Sequence, residues 1–141
     1  MITIEDIAKD LKKFVDKHPQ MQSFGFGKTT EIGVGKIKYP ILFQVPTYTT
    51  LELNYETFSS DIYILDVLEH DLTNHIQVVS LMNTLKNDFI DYLYNKYDSF
   101  EYDIDLNVRA DTVSEKYDDF LAGVIFELNI KSPITYCFTI A

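Results

Sequence analysis

Apolar residues recur near the start of the chain at Ile4, Ile7, Ala8, Leu11, Phe14 and Val15, the three-and-four spacing of one helix face. Thr3 followed by Asp6 reads as a helix N-cap and Pro19 halts the run, so the pattern predicts an amphipathic helix over residues 1–18. A longer stripe, Val78, Val79, Met82, Leu85, Phe89, Leu93 and Tyr97, predicts a second helix over 72–97, capped by Asp71 or Thr73. Its polar positions, Asn83, Lys86, Asn87, Asp88, Asp91 and Lys96, stay in water, and its apolar stripe needs a sheet to cover.

Elsewhere the period is two. Tyr102, Ile104, Leu106 and Val108 alternate with Asp103, Asp105, Asn107 and Arg109; Val124, Phe126, Leu128 and Ile130 alternate with Gly123, Glu127, Asn129 and Lys131. The turn-like run from Asp111 to Asp119 separates them, which predicts an antiparallel hairpin over 101–131. Upstream, the glycine-rich connection Phe24–Gly27, with Gly33 and Gly35 following, leads into Ile41, Leu42, Phe43 and Val45. Pro40 and Pro46 bracket that run, as suits a short buried or edge strand. Leu51, Leu53 and Tyr55 alternate with Glu52, Asn54 and Glu56, and a further strand is expected from Ile62 to Val67, joined through a bend near Phe58, Ser59 and Ser60. Helices set apart from strands predict an α+β fold: an antiparallel or mixed sheet covered by the long helix and the N-terminal helix, with a long C-terminal β-hairpin. With 141 residues and no linker or repeat, the expectation is a single domain over 1–141, residues 132–141 forming a tail.

Composition sharpens this picture. Ten Tyr, ten Phe and 46% hydrophobic residues exclude a disordered chain. The formal net charge of −10 disfavours a grip on nucleic acid, because phosphate binding is driven by Lys and Arg releasing counterions. The single Cys137 excludes an internal disulfide and multi-cysteine zinc patterns. The Met1–Asp6 start has no basic, apolar leader pattern, and no run approaches the roughly 20 apolar residues of a membrane span, so the chain is expected in the cytosol when made, with no membrane partner.

Candidate chemistry is thin. Gly25, Phe26, Gly27, Lys28 and Thr29 mimic the end of a phosphate-binding loop, but Gln22 stands where the first glycine is required and Ile32–Gly35 cannot open a helix. His70 and His75 flank a predicted helix start, where they need not share a face, and His18 suits a helix terminus. Asp103, Asp105, Asp111, Glu115, Asp118 and Asp119 are numerous enough for two-carboxylate or metal-assisted hydrolysis, yet they fall on a wet strand face and a hairpin corner without a positioned base. Cys137 has no nearby histidine in sequence. The reading is therefore a non-enzyme with no catalytic, cofactor or metal residues. The apolar, β-prone tail after Pro133 either docks on a neighbour or folds back on its own sheet.

In element order, and locally at Ser23–Gly27, Ile62–Leu68 and Glu115–Pro133, the chain resembles neck or tail-terminator (tail completion) proteins of tailed bacteriophages. The resemblance implies a virion structural protein forming a ring of six, or of twelve if it sits directly on a connector stack. Such a ring lies at the head–tail junction between portal and tail proteins, and DNA passes through its channel without specific binding. Candidate contacts with the next subunit or a neighbour are Asp111, Glu115, Tyr117 and Asp118 in the hairpin corner and Ile134, Tyr136, Phe138 and Ile140 in the tail. The alternative is a soluble acidic binding protein, such as a DNA mimic directed at a host protein. Against it, Lys86 and Lys96 break the carboxylate row of the long helix.

Overall fold

The computed structural model describes residues 2–32, 37–68, 74–97, 103–104, 110–116 and 121–134. Helix α1 runs Ile4–Lys17 and opens with the reciprocal bonds its sequence suggests: the Thr3 hydroxyl accepts from the Asp6 N–H while the Asp6 carboxylate accepts from the Thr3 N–H. The Thr3 N–H and hydroxyl hold the Asp6 carboxyl below its ordinary range. Ile7, Leu11, Phe14 and Val15 are buried, whereas Ile4 at the first turn is half-exposed. Helix α2 runs His75–Tyr97 and buries Val78, Met82, Leu85, Phe89 and Leu93; the expected caps Asp71 and Thr73 lie outside the described residues.

Six strands form one mixed sheet: β1 (Ser23–Phe26), β2 (Ile41–Leu51), β3 (Tyr55–Val67), β4 (Asp103–Ile104), β5 (Ala110–Lys116) and β6 (Leu121–Pro133). The order is β1-β2-β3-β6-β4, with β5 also on β6; of the described pairs only β1–β2 is parallel. The α+β reading is thus correct. Both helices cover one face. Phe58, Ile62 and Ile64 of β3 and Val124, Phe126, Leu128 and Ile130 of β6 meet them there, and the Phe89 ring lies 5.8 Å from that of Phe126. Phe14 joins the two helices edge-on to Phe89 at 5.2 Å. The opposite face carries a smaller cluster at one end only, Phe43, Tyr63, Leu65 and Leu121 packed under Ile32, Ile37 and Tyr39.

Several sequence expectations need correcting. Phe24–Gly27 is not merely a connection, because Ser23–Phe26 is strand β1; Gly25 is needed where a Cβ would overlap the Phe43 ring. The strand from Ile41 does not stop at Pro46 but continues to Leu51. Pro46 is tolerated there because β1 ends opposite Gln44, and because the β2–β3 register shifts between Pro46 and Tyr48, a bulge that accommodates a missing N–H. The irregularity expected near Phe58–Ser60 therefore lies on β2 instead, and β3 is continuous. The Leu51–Glu56 alternation is not one strand: Glu52 and Tyr55 exchange backbone bonds of 2.8 and 3.4 Å around a two-residue turn, Leu53-Asn54. Much of the supposed Asp111–Asp119 turn is strand, since β5 extends to Lys116. Of the Tyr102–Arg109 alternation, Asp103–Ile104 is described and pairs with Lys131 and Ile130. Ser132 and Pro133, expected to begin the tail, end β6 opposite Glu56 and Tyr55.

Candidate interaction surface

The outer half of the β2–β3 hairpin carries a group of exposed apolar side chains. Leu53 is 82% exposed, Leu51 65% and Tyr48 57%, with Tyr55 beside them. A two-residue turn must project its residues, and beside the turn-favouring Asn54 it projects Leu53, flanked by Leu51 and Tyr55, so the tip is an apolar knob. It is firmly held. Lys131 on β6 sits 4.6 Å over the Tyr55 ring and 3.9 Å from the Glu52 carboxylate, and the Ile134 N–H donates to the Asn54 carbonyl at 2.9 Å.

Below the tip, on the face turned from the helices, alternation places Tyr48, Thr57, Ser59, Asp61, Glu127 and Asn129 together. Tyr48 donates its phenol hydrogen to Glu127 at 3.1 Å, and Ser59 donates to Asn129. Asp61 stands directly across from Glu127, an unfavourable like-charge pair. Burial, and then the Glu127 charge, push the Asp61 carboxyl above its ordinary range; burial does the same to Asp66, against the Val67 N–H that its carboxylate accepts.

On the helix side, a cleft of about 250 Å³ lies between the first turn of α1 and the outer half of β2, walled by Ile4, Ile7, Pro46, Thr49 and Phe58. Gln44 forms its floor. Its side chain is 1% exposed; Nε2 donates to the Ser60 hydroxyl at 3.0 Å, and Oε1 has no hydrogen-bond partner among the described residues.

Of the subunit contacts expected from sequence, the structure describes three. Asp111 is exposed on β5, opposite Ile125; Glu115 lies on the same strand; Ile134 is partly buried where the chain leaves β6 at the hairpin tip. Tyr117, Asp118, Tyr136, Phe138 and Ile140 lie outside the described residues, as do Cys137 and His70. Neither the knob nor the Gln44 cleft is among the sequence expectations. The one signal for the knob is an alternating triplet whose apolar members sit beside Asn54 and two glutamates, a turn composition that the alternation conceals.

The other candidates have structural explanations. His18 caps α1, its Nδ1 accepting from the Gln20 N–H at 3.2 Å and its Nε2 lying 3.0 Å from Asp88 on α2. Lys28 precedes a single 3-10 turn, Thr29–Glu31, too short to offer the helix N-terminus that phosphate binding uses. Among the described residues no helix is long and apolar enough to cross a membrane. No protein-family model matches the chain, and no curated protein matches it at a significant level.

Proposed function

We propose that the protein is a non-enzymatic subunit of a ring at the head–tail junction of a tailed bacteriophage, in six or twelve copies, in contact with portal or connector and tail proteins. The observation that carries this reading is the hairpin arm, where a fixed apolar knob shares its sheet with the partly buried Asp61 carboxylate and the exposed Glu127 across from it. Such a surface suits protein–protein contact and repels a phosphate backbone. A net charge of −10 suits a channel that DNA crosses without adhering. Closed rings use heterologous contacts, in which a projecting element of one subunit meets a different patch on the next, and the knob and the cleft are two such unlike surfaces.

The DNA-mimic alternative requires an unbroken row of carboxylates. On α2, Asp88 is held by His18, Lys86 donates to Asn83, and Lys96 reaches Asp10 on α1, so the helix pair carries mixed and internally paired charge. Copy number in purified virions tests the ring. Quantitative mass spectrometry should find the chain at six or twelve copies per particle; absence, or far fewer than six, overturns the proposal in favour of a soluble acidic binder.

A further inference from the structure

Among the described residues, strand β2 is an open edge for half its length. Its first four residues pair with β1, but after Gln44 its only strand neighbour among the described residues is β3. The backbone groups on the outer side of Val45–Leu51 therefore face away from the sheet, a template for an added strand. Pro46 and the bulge beside it interrupt that template only locally. Next to this edge lies the Gln44 cleft. A buried amide oxygen without a partner is costly, and it is rare in a finished structure. An incoming segment that carries N–H donors on an extended backbone and apolar groups at alternate positions would satisfy the amide and fill the wall formed by Ile4, Ile7 and Phe58.

The chain contains such a segment. Ile134, Tyr136, Phe138 and Ile140 alternate with Thr135, Cys137 and Thr139, uncharged and β-prone throughout. We infer that residues 135–140 of a neighbouring copy add as a strand to the open edge of β2 and hydrogen-bond to the Gln44 amide, a contact that rests on the ring reading and supplies its subunit joint.

Geometry selects the neighbour over the chain's own tail. Gln44 is level with Ile62 and so with Phe126, while Ile134 leaves beyond the far end of β6. Along the strands that interval is about 26 Å, and sideways from β6 to a strand beyond β2 is three spacings, about 14 Å; the straight-line gap is about 30 Å. Fully extended, Thr135 to Ile140 span at most about 21 Å. A chain's own Ile140 therefore falls short of its own Gln44, and a path around the hairpin tip is longer still. The 2.9 Å bond from the Ile134 N–H to Asn54 starts the segment at the tip, at the periphery of the subunit.

Two measurements on the full chain test the inference. In the first, Thr50→Cys places a thiol on the exposed face of β2 turned from the cleft, the side to which the alternation of the docked strand turns native Cys137. Mild oxidation should give dimers and higher covalent species that Cys137→Ser abolishes; an internal cross-link with monomer mass alone overturns the assignment to a neighbour. In the second, a labelled peptide of residues 134–141 is titrated against the full chain. Binding should be saturable and weakened about tenfold by Gln44→Leu, which keeps the side-chain volume and should leave the circular dichroism spectrum unchanged. Binding indifferent to Gln44→Leu, or none at millimolar peptide, overturns the Gln44 contact. The two proposals separate cleanly. Gln44-dependent binding by a chain absent from virions removes the ring and keeps the contact; ring copy number without Gln44-dependent binding does the reverse.

Discussion

The two halves of the β3–β6 ladder are built from the same pair of strands and do opposite things. In the inner half, Ile62, Ile64, Val124 and Phe126 lie under the helices while Tyr63, Leu65 and Leu121 lie under Ile32, Ile37 and Tyr39, so both faces are dry. In the outer half the helix side is still apolar at Phe58, Leu128 and Ile130, but the other face presents Thr57, Ser59, Asp61, Glu127 and Asn129. One strand thus changes from a nearly continuous apolar run to an alternating one along its own length, as cover on the second face ends. The doubly covered inner half carries more of the stability, and the far face and tip of the outer half are free to carry recognition, because substitutions there leave the core under the helices covered.

The largest test of that division is truncation in the inner half. Phe89→Ala or Phe126→Ala should cost about 3 to 5 kcal/mol in denaturant unfolding, since both rings are buried and touch across the helix–sheet boundary. Leu53→Ser at the tip should change the same midpoint by less than about 0.5 kcal/mol. Equal losses at Phe126 and Leu53 would abolish the distinction.

A backbone probe follows. Gly123 sits in β6 opposite Leu65, with φ +159°, and a Cβ there would strike the Ile64 carbonyl oxygen, which is main chain and cannot swing aside. Gly123→Ala should therefore cost more than about 2 kcal/mol by thermal or denaturant unfolding. A neutral result would mean that the two strands can separate locally without penalty, which would put the rigid centre of the sheet elsewhere.

The smallest effect has the opposite sign. Because the folded Asp61 carboxyl titrates above its unfolded value, the native state binds more protons than the unfolded chain between the two. Its contribution therefore weakens as pH rises from about 3.9 through the raised folded value, and the penalty is complete above that window. Asp61→Asn should stabilise the protein at neutral pH, by less than about 1 kcal/mol because the site is partly open to solvent, and the gain should vanish near pH 3. A pH-independent gain would point to packing as its source, and the like-charge pair with Glu127 would then be irrelevant to stability.

Legibility in the sequence follows the same boundary. The α1 cap, both helix stripes and the inward face of β6 are readable because local pattern and tertiary burial agree there. Around Pro46 the pattern misleads, since whether a proline ends a strand depends on the length of a neighbour, and β1 stops just short of it. At Leu51, Leu53 and Tyr55, apolar residues mark exposure, so alternation imitates a half-buried strand where the chain turns. The Gln44 cleft cannot be read from sequence at all, being assembled by α1, β2 and β3 from positions distant along the chain. Of the hairpin-corner and tail residues, Asp111, Glu115 and Ile134 fall within the described structure, each at a strand position or strand end that its local pattern does not mark as an interface.

Strand β6 lies between β3 on one side and β4 and β5 on the other, and its pairing with β3 joins Val67 to Leu121 and Tyr55 to Pro133. On a ribosome, these partners emerge on the order of 3 to 15 s apart at about 5–20 residues per second. Through that interval β3 has β2 as its principal strand partner, and a lone two-stranded hairpin is marginal in water. The nascent chain therefore holds the backbone edge of β3 unpaired until β6 arrives, so a holdase acting during synthesis would find its target in the β2–β3 segment and lose it once β6 docks.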